Sequence, residues 1–279
     1  MTSTPRRDEI WRVATLNIWN RQGPWEQRLP LLRDELVALD LDVIGLQEVL
    51  GFPGQPNQAE ALLDGLGWHV HHATAWDIGG GLVFGNAIAS RHELTDVQTL
   101  ALPTPAGLET RSAAFARVAA PHGPMPVFCT HLTWQLHLGH ARCAQVRALT
   151  EHVARLAPTD GPPPVLLGDF NAAPDSDEMR FLRGLTPLGG TSVYFADCWD
   201  ATTDAKGYTY SRDNAYALRA HEPSRRIDYV YVRGPDRSLR GEPLSARLAF
   251  DREVDGVWPS DHFGVVAEIH AAARHHDPF

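Results

Sequence analysis

The chain has 279 residues, 25 Lys and Arg against 34 Asp and Glu, a net charge of −9 with its 14 histidines neutral, and 43 % hydrophobic residues. A chain of this length buries roughly three quarters of the surface it exposes when unfolded, so it needs neither disulfides nor metal to fold, and its composition excludes a disordered or collagen-like protein. The acidity counts against a general binder of the nucleic-acid backbone, although a local basic cleft remains compatible with it.

Residues 1–10 read as a disordered N-terminus, with Arg6 and Arg7 but no apolar run of signal-peptide length. A strand is predicted over Arg12–Asn17. Leu29, Leu32, Leu36 and Leu39 then recur at helical spacing, and a second strand follows at Asp42–Leu46. Trp76–Phe84, with Gly79-Gly80-Gly81, reads as a mobile loop before a strand at Ala87–Ser90; the Gly-x4-Gly-Lys-Ser/Thr pattern of a phosphate-cradling loop is absent. Strands are expected at Ala113–Val118 and Pro126–Thr130, with a turn over Pro121–Pro126. Val146, Leu149, Val153 and Leu156 mark a second helix, and Gly161–Pro164 a turn into a strand at Pro164–Gly168. A third helix begins near Ser176, with Asp177 and Glu178 suited to its first turn and Met179, Leu182 and Leu185 as its buried side. Strands at Ile227–Val232 and Phe263–Ile269 precede a tail over 272–279. No linker or repeat divides the chain, so residues 11–271 read as a single α/β domain with mixed sheets.

No segment approaches the about 18 apolar residues of a membrane span. Cys129, Cys143 and Cys198 match neither a zinc pattern nor a disulfide framework. A reduced, cytoplasmic protein is the expectation, and a removed leader would leave the same sequence. Oligomeric state is open at this level.

The polar residues at the strand ends are informative. The first strand runs into Asn17, the second into Gln47 and Glu48, Pro126–Thr130 into His131, and Pro164–Gly168 into Asp169, Phe170 and Asn171. Asp228 instead starts a strand, and Asp261 and His262 precede one. Any one of them alone is an ordinary turn former, helix cap or hydrogen-bonded histidine. If the last strands run opposite to the earlier ones, however, all gather at one edge of the sheets, the kind of strand-end crevice that ligands favour in α/β folds. An oxygen-rich set without cysteine suits Mg²⁺ or Mn²⁺ better than zinc.

These residues lie in ATLNIWN, IGLQEV, GNAIASR (Asn86), THLTW, LLGDFNAAPDSDE, RRIDYVYVRG and PSDHFGVVAEI, in that order over nearly the whole chain. The series resembles the endonuclease/exonuclease/phosphatase superfamily, the DNase I-like group of metal-dependent nucleases, sphingomyelinases and inositol phosphatases. The resemblance implies a four-layer α/β sandwich, two mixed β-sheets face to face with helices outside. It implies Mg²⁺ or Mn²⁺ on Glu48, helped by Asn17 and Asp261. Asp169 would orient or deprotonate water, and Asn171 would hold that water or a phosphate oxygen. Asp228 would orient His262 toward the scissile phosphate. His131 would stabilise phosphoryl charge, and Arg111 and Asn86 would bind phosphate.

The implied activity is metal-dependent hydrolysis of a phosphodiester, on a small-molecule or lipid-like substrate. A Mg²⁺-dependent endo- or exonuclease is the alternative, and a non-catalytic binding scaffold a third reading. Nucleic acid as partner is not favoured by the charge. The densest basic places, Arg6–Arg7, Arg225–Arg226 and Arg233–Arg240, are short, and Arg225–Arg226 lie beside Asp228 where they could meet a phosphate. Trp19, Trp25, Trp76, Trp134 and Trp258 lie near the motifs, as an aromatic rim or as edge packing. His69, His71, His72, His275 and His276 read as surface residues.

Overall fold

A computed structural model describes residues 6–273. Of the tails expected at 1–10 and 272–279, residues 1–5 and 274–279 lie outside the described residues. Arg7–Glu9 form a 3-10 turn and Ile10 pairs with His270, so regular structure starts before residue 11. His275 and His276 are likewise outside.

The elements are β1 (Ile10–Asn17), α1 (Trp25–Leu39), β2 (Val43–Gly51), α2 (Gln58–Leu63), β3 (His69–Gly79) and β4 (Leu82–Ser90). They continue with β5 (Leu94–Leu102), β6 (Arg111–Ala120), β7 (Gly123–His131), α3 (Gly139–Leu156), β8 (Val165–Asp169) and α4 (Asp177–Leu182). The chain ends with β9 (Ala196–Asp197), α5 (Cys198–Thr202), α6 (Ala215–Leu218), β10 (Asp228–Val232), β11 (Pro243–Ala249) and β12 (Gly264–His270). No helix among the described residues is long and apolar enough to cross a membrane.

The strands form two mixed six-stranded sheets, ordered β11-β12-β1-β2-β4-β3 and β5-β6-β7-β8-β10-β9. In each, a central parallel pair, β1 with β2 and β7 with β8, is flanked by antiparallel neighbours. Period-2 alternation sorts the side chains. Along β1, Trp11 and Val13 enter the core between the sheets, while Ala14 and Leu16 face outward with Leu32 and Leu36 of α1. The other sheet shows Cys129 and Leu167 to the inner core, and Phe128 and Leu166 to α3 and α4. Both faces of the central strands are therefore buried, which explains their near-continuous apolar sequence. Gly45 lets the sheets approach: a Cβ there would lie 2.9 Å from Cys129 Sγ and Leu167 Cβ.

Three expectations are corrected. Trp76–Phe84 is not a loop: β3 and β4 form a hairpin through it, with Trp76 opposite Phe84. The third helix stops at Leu182, and Leu185, beyond it, is exposed. His71 and His72 are half-buried, with ring nitrogens 3.2 Å from the carbonyls of Gln98 and Val49.

Candidate active site

β10 runs antiparallel to β8 and β12 to β1, so the starts of the late strands meet the ends of the early ones. Register places Asp228 beside Asp169, and Asp169 beside His131. On the other sheet, β2 carries an irregularity between Leu46 and Val49, where Gln47 and Glu48 together face Asn86 of β4. Glu48 adopts a left-handed φ of 60° there. A bulge of this kind redirects a side chain that regular pleating would place elsewhere.

Asp169 is the hub. Its Oδ2 accepts from Asn17 Nδ2 at 3.1 Å and lies 3.5 Å from His131 Nε2 and 3.8 Å from His262 Nε2. Its Oδ1 accepts from the Asn171 backbone N–H at 2.9 Å. Burial, reinforced by the Asp228 carboxylate, pushes the Asp169 carboxyl up to about 7. His262 Nδ1 sits 2.9 Å from Asp228 Oδ2, and the Asp228 backbone N–H is fixed by Thr209 Oγ1. Burial opposes protonation of His262, but Asp228, Asp169 and Asp261 outweigh it and hold the imidazole well above the ordinary histidine range. His131 goes the other way: burial, then the charges of Arg111 and His262, keep it well below that range. Two neighbouring histidines are thus biased to opposite protonation states, the pattern acid–base chemistry uses.

Asn17 and Asn86 sit differently from expectation. Asn17 gives its nitrogen to Glu48 Oε1 at 3.2 Å as well as to Asp169, because its Oδ1 accepts the Trp19 backbone N–H. It bridges the carboxylates as a donor, whereas a metal ligand would present its oxygen. Asn86 is not on the cavity wall: its Nδ2 donates to the Ser112 carbonyl at 3.0 Å and so ties β4 to β6 beside Arg111. Arg111 does reach the cavity, held by Glu109 at 3.0 Å with Nη1 3.3 Å from His131 Nδ1. Asn171 lines it too, its Nδ2 donating to the Leu132 carbonyl. Of the basic pair, Arg225 lines the cavity, while Arg226 is buried against Asp197 and Asp200. Trp19, Trp76 and Trp134 line it, but Trp25 is buried beside Arg28 and Trp258 packs on Phe263.

Sequence reasoning assigned no role to several residues at the site. Asn20 donates to Glu48 Oε2 at 2.8 Å. Arg28, fully buried, donates to the carbonyls of Ile18, Trp19, Asn20 and Pro259, fixing the loop that presents Asn20. Ser260 Oγ donates to the Asn17 carbonyl at 2.6 Å and so joins the two sheet-edge segments. Tyr210 lies with its ring 5.1 Å from that of His262. Polar residues in loops after an apolar run were the available signal for Asn20, but nothing in the sequence pairs Arg28 with Pro259.

The donor set fits a divalent cation. Burial, with Glu48 nearby, pushes the Asp261 carboxyl up to about 7, despite the opposing charges of His262 and Arg28. Asp228 Oδ1 is buried without a hydrogen-bond partner among the described residues. Asp169, Asp228 and His262 each offer a ligand atom within 4.8 Å of the others, a cluster drawn from residues expected to do acid–base work. Oxygen donors dominate, as hard cations prefer.

The cavity, about 760 Å³, opens over Asp169, His131 and His262, with Glu48, Asp261 and Arg111 around them. Residues 14–262 match the model of the "Endonuclease/Exonuclease/phosphatase family". The chain is 30 % identical over 273 residues to "Uncharacterized protein YbhP" of Escherichia coli K12, covering 93 % of this chain and 96 % of that protein. Among solved structures it resembles D. rerio TDP2 complexed with a single-strand DNA product (TM-score 0.74, 19 % identity, 93 % of this chain and 98 % of that one). It also resembles the human Nocturnin catalytic domain with bound sulfate (TM-score 0.69, 18 % identity, 94 % of each chain). At these identities the two structural likenesses are of fold, a DNase I-like sandwich.

Proposed function

The chain belongs to the endonuclease/exonuclease/phosphatase family, and we propose that it hydrolyses a phosphodiester with a divalent metal, on a small-molecule or lipid-like substrate. The observation that carries this reading is the convergence of His131, His262 and Asn17 on the single carboxylate of Asp169 at the cavity floor.

Glu48 and Asp261 would supply carboxylates for Mg²⁺ or Mn²⁺, helped by Asn17, which is hydrogen-bonded to Glu48. Asp228 Oδ2 and His262 Nδ1 engage each other, which favours acid–base work over metal ligation for that pair. The bound cation supplies Lewis-acid neutralisation of phosphoryl charge. Asp169 orients the attacking water and takes its proton, and the Asn171 backbone fixes the carboxylate that does so. The Asn171 side chain steadies that water or a phosphate oxygen. Asp228 keeps His262 protonated, so that it donates from Nε2 to a phosphate oxygen or the leaving group. Arg111 binds an equatorial oxygen, and neutral His131 beside it donates or accepts as its tautomer dictates. Asn86 supports the strand of Arg111.

Trp19, Trp76 and Trp134 on the cavity wall would also suit stacked bases, which favours nuclease activity as a second reading. The net charge of −9 weighs against it. We expect Glu48→Ala, Asp169→Ala and His262→Ala each to lower turnover at least about a hundredfold with the fold intact, as loss of one acid–base or electrostatic group does. Wild-type turnover by folded His262→Ala protein would contradict the assignment.

A further inference from the structure

One wall of the cavity is apolar beyond anything hydrolysis requires. The β3–β4 hairpin turns Trp76, Ile78, Leu82 and Phe84 to the cavity, and Trp134 stands among the lining residues after β7. Trp76, Ile78 and Trp134 are 37 %, 43 % and 49 % exposed. Large apolar side chains left uncovered beside a reaction centre have a solvation cost that a ligand can relieve. This wall begins at the reacting groups, for the Phe84 ring is 6.2 Å from that of His131. The cavity volume of about 760 Å³ is that of a site for a whole organic ligand.

Both lips are held in place. Trp76 and Phe84 are direct cross-strand partners, and Thr110 Oγ1 donates to the Ala75 carbonyl, fastening the hairpin to the segment before β6. On the other lip, buried Arg142 donates to the carbonyls of Thr133 and Gln135 at 3.2 and 2.9 Å and pairs with Glu178 at 2.6 Å. Gln145 accepts the Thr133 backbone N–H. Trp134 therefore projects from a fixed backbone, and a ligand meets a preorganised surface. Its composition mixes aliphatic Ile78 and Leu82 with aromatic rings, and Arg225 on the cavity lining is paired with Glu222.

We propose that the hairpin face and Trp134 form a subsite for an apolar substituent of the phosphodiester, an alkyl or aryl group, placed beside the phosphate. This rests on the phosphodiesterase reading above. The preference comes from area removed from water, which is worth up to about fourfold in affinity per fully buried methylene.

The test titrates methyl-, butyl-, hexyl- and phenylphosphonate, and thymidine monophosphate, into the protein with Mg²⁺, reading quenching of tryptophan fluorescence. Affinity should rise at least about tenfold from methyl to hexyl, below the limit of full burial because the cleft is open. The phenyl member separates aryl from alkyl preference. In Ile78→Ser, at an exposed position the fold tolerates, the hexyl-to-methyl ratio should fall to less than about a third of its original value. Equal affinities along the series, a ratio unchanged in Ile78→Ser, or thymidine monophosphate binding more tightly than hexylphosphonate would overturn the subsite. In parallel, hexylphosphonate should compete with bis(p-nitrophenyl) phosphate. If no diester is hydrolysed, the phosphodiesterase reading falls by itself, while the binding series still decides whether the apolar subsite exists.

Discussion

Asp228 offers one carboxylate oxygen to His262 at 2.9 Å and buries the other, so its charge favours the protonated imidazole as well as raising the neighbouring Asp169. Replacing it with Asn keeps the shape and removes the charge that favours protonated His262. We expect Asp228→Asn to lower kcat about a hundredfold or more with a smaller effect on KM, as in other carboxylate-oriented histidines. Steady-state kinetics on a small diester checks this, and a KM effect with unchanged kcat would assign Asp228 to binding instead. At this scale the sequence carried residue identity better than residue orientation. Strand ends located Glu48, His131, Asp169, Asp228 and His262, because a polar residue closing a buried apolar run has few places to go. They did not reveal which end of the Asn17 amide faces the carboxylates, since that depends on the Trp19 N–H, nor that Asn86 turns to Ser112.

The helices α3 and α4 support the site from behind. Arg142 and Glu178, 5 % and 2 % exposed, pair across them at 2.6 Å, and Arg142 also holds the loop after β7. Removing one member of a buried pair leaves the other charge without its partner. Glu178→Ala should therefore lower unfolding free energy by about 3–5 kcal/mol. Urea denaturation would measure it, and a loss below about 1 kcal/mol would mean that water or a neighbour replaces the carboxylate. Helices α1 and α3 were readable from their leucine and valine spacing, since a single face of each is buried. The hairpin was not. Its glycine run signals flexibility, but pairing between Trp76 and Phe84 overrides it. Strands β5 and β11 escaped notice because edge strands show water most of their side chains and carry no apolar run.

Across the whole molecule, the two sheets repeat one device: a parallel pair whose ends carry polar residues, met by antiparallel strands that begin with them. Closing the sandwich at Gly45 brings these edges to a common cavity. Under the proposed function the excess acidity has a local meaning there, because Glu48, Asp169 and Asp261 line the cavity, with Asp228 beside Asp169, and would draw a cation and through it a phosphate. Elsewhere the net charge of −9 disfavours tracking along a nucleic-acid backbone. The most direct test of metal-dependent phosphodiester hydrolysis at this site is a rate panel with Mg²⁺, Mn²⁺ or EDTA. It compares bis(p-nitrophenyl) phosphate, a phosphomonoester, supercoiled plasmid, single-stranded RNA and sphingomyelin. EDTA-sensitive hydrolysis of a small or lipid diester, faster than cleavage of plasmid or RNA, is the predicted result; no hydrolysis of any member with either metal would contradict it.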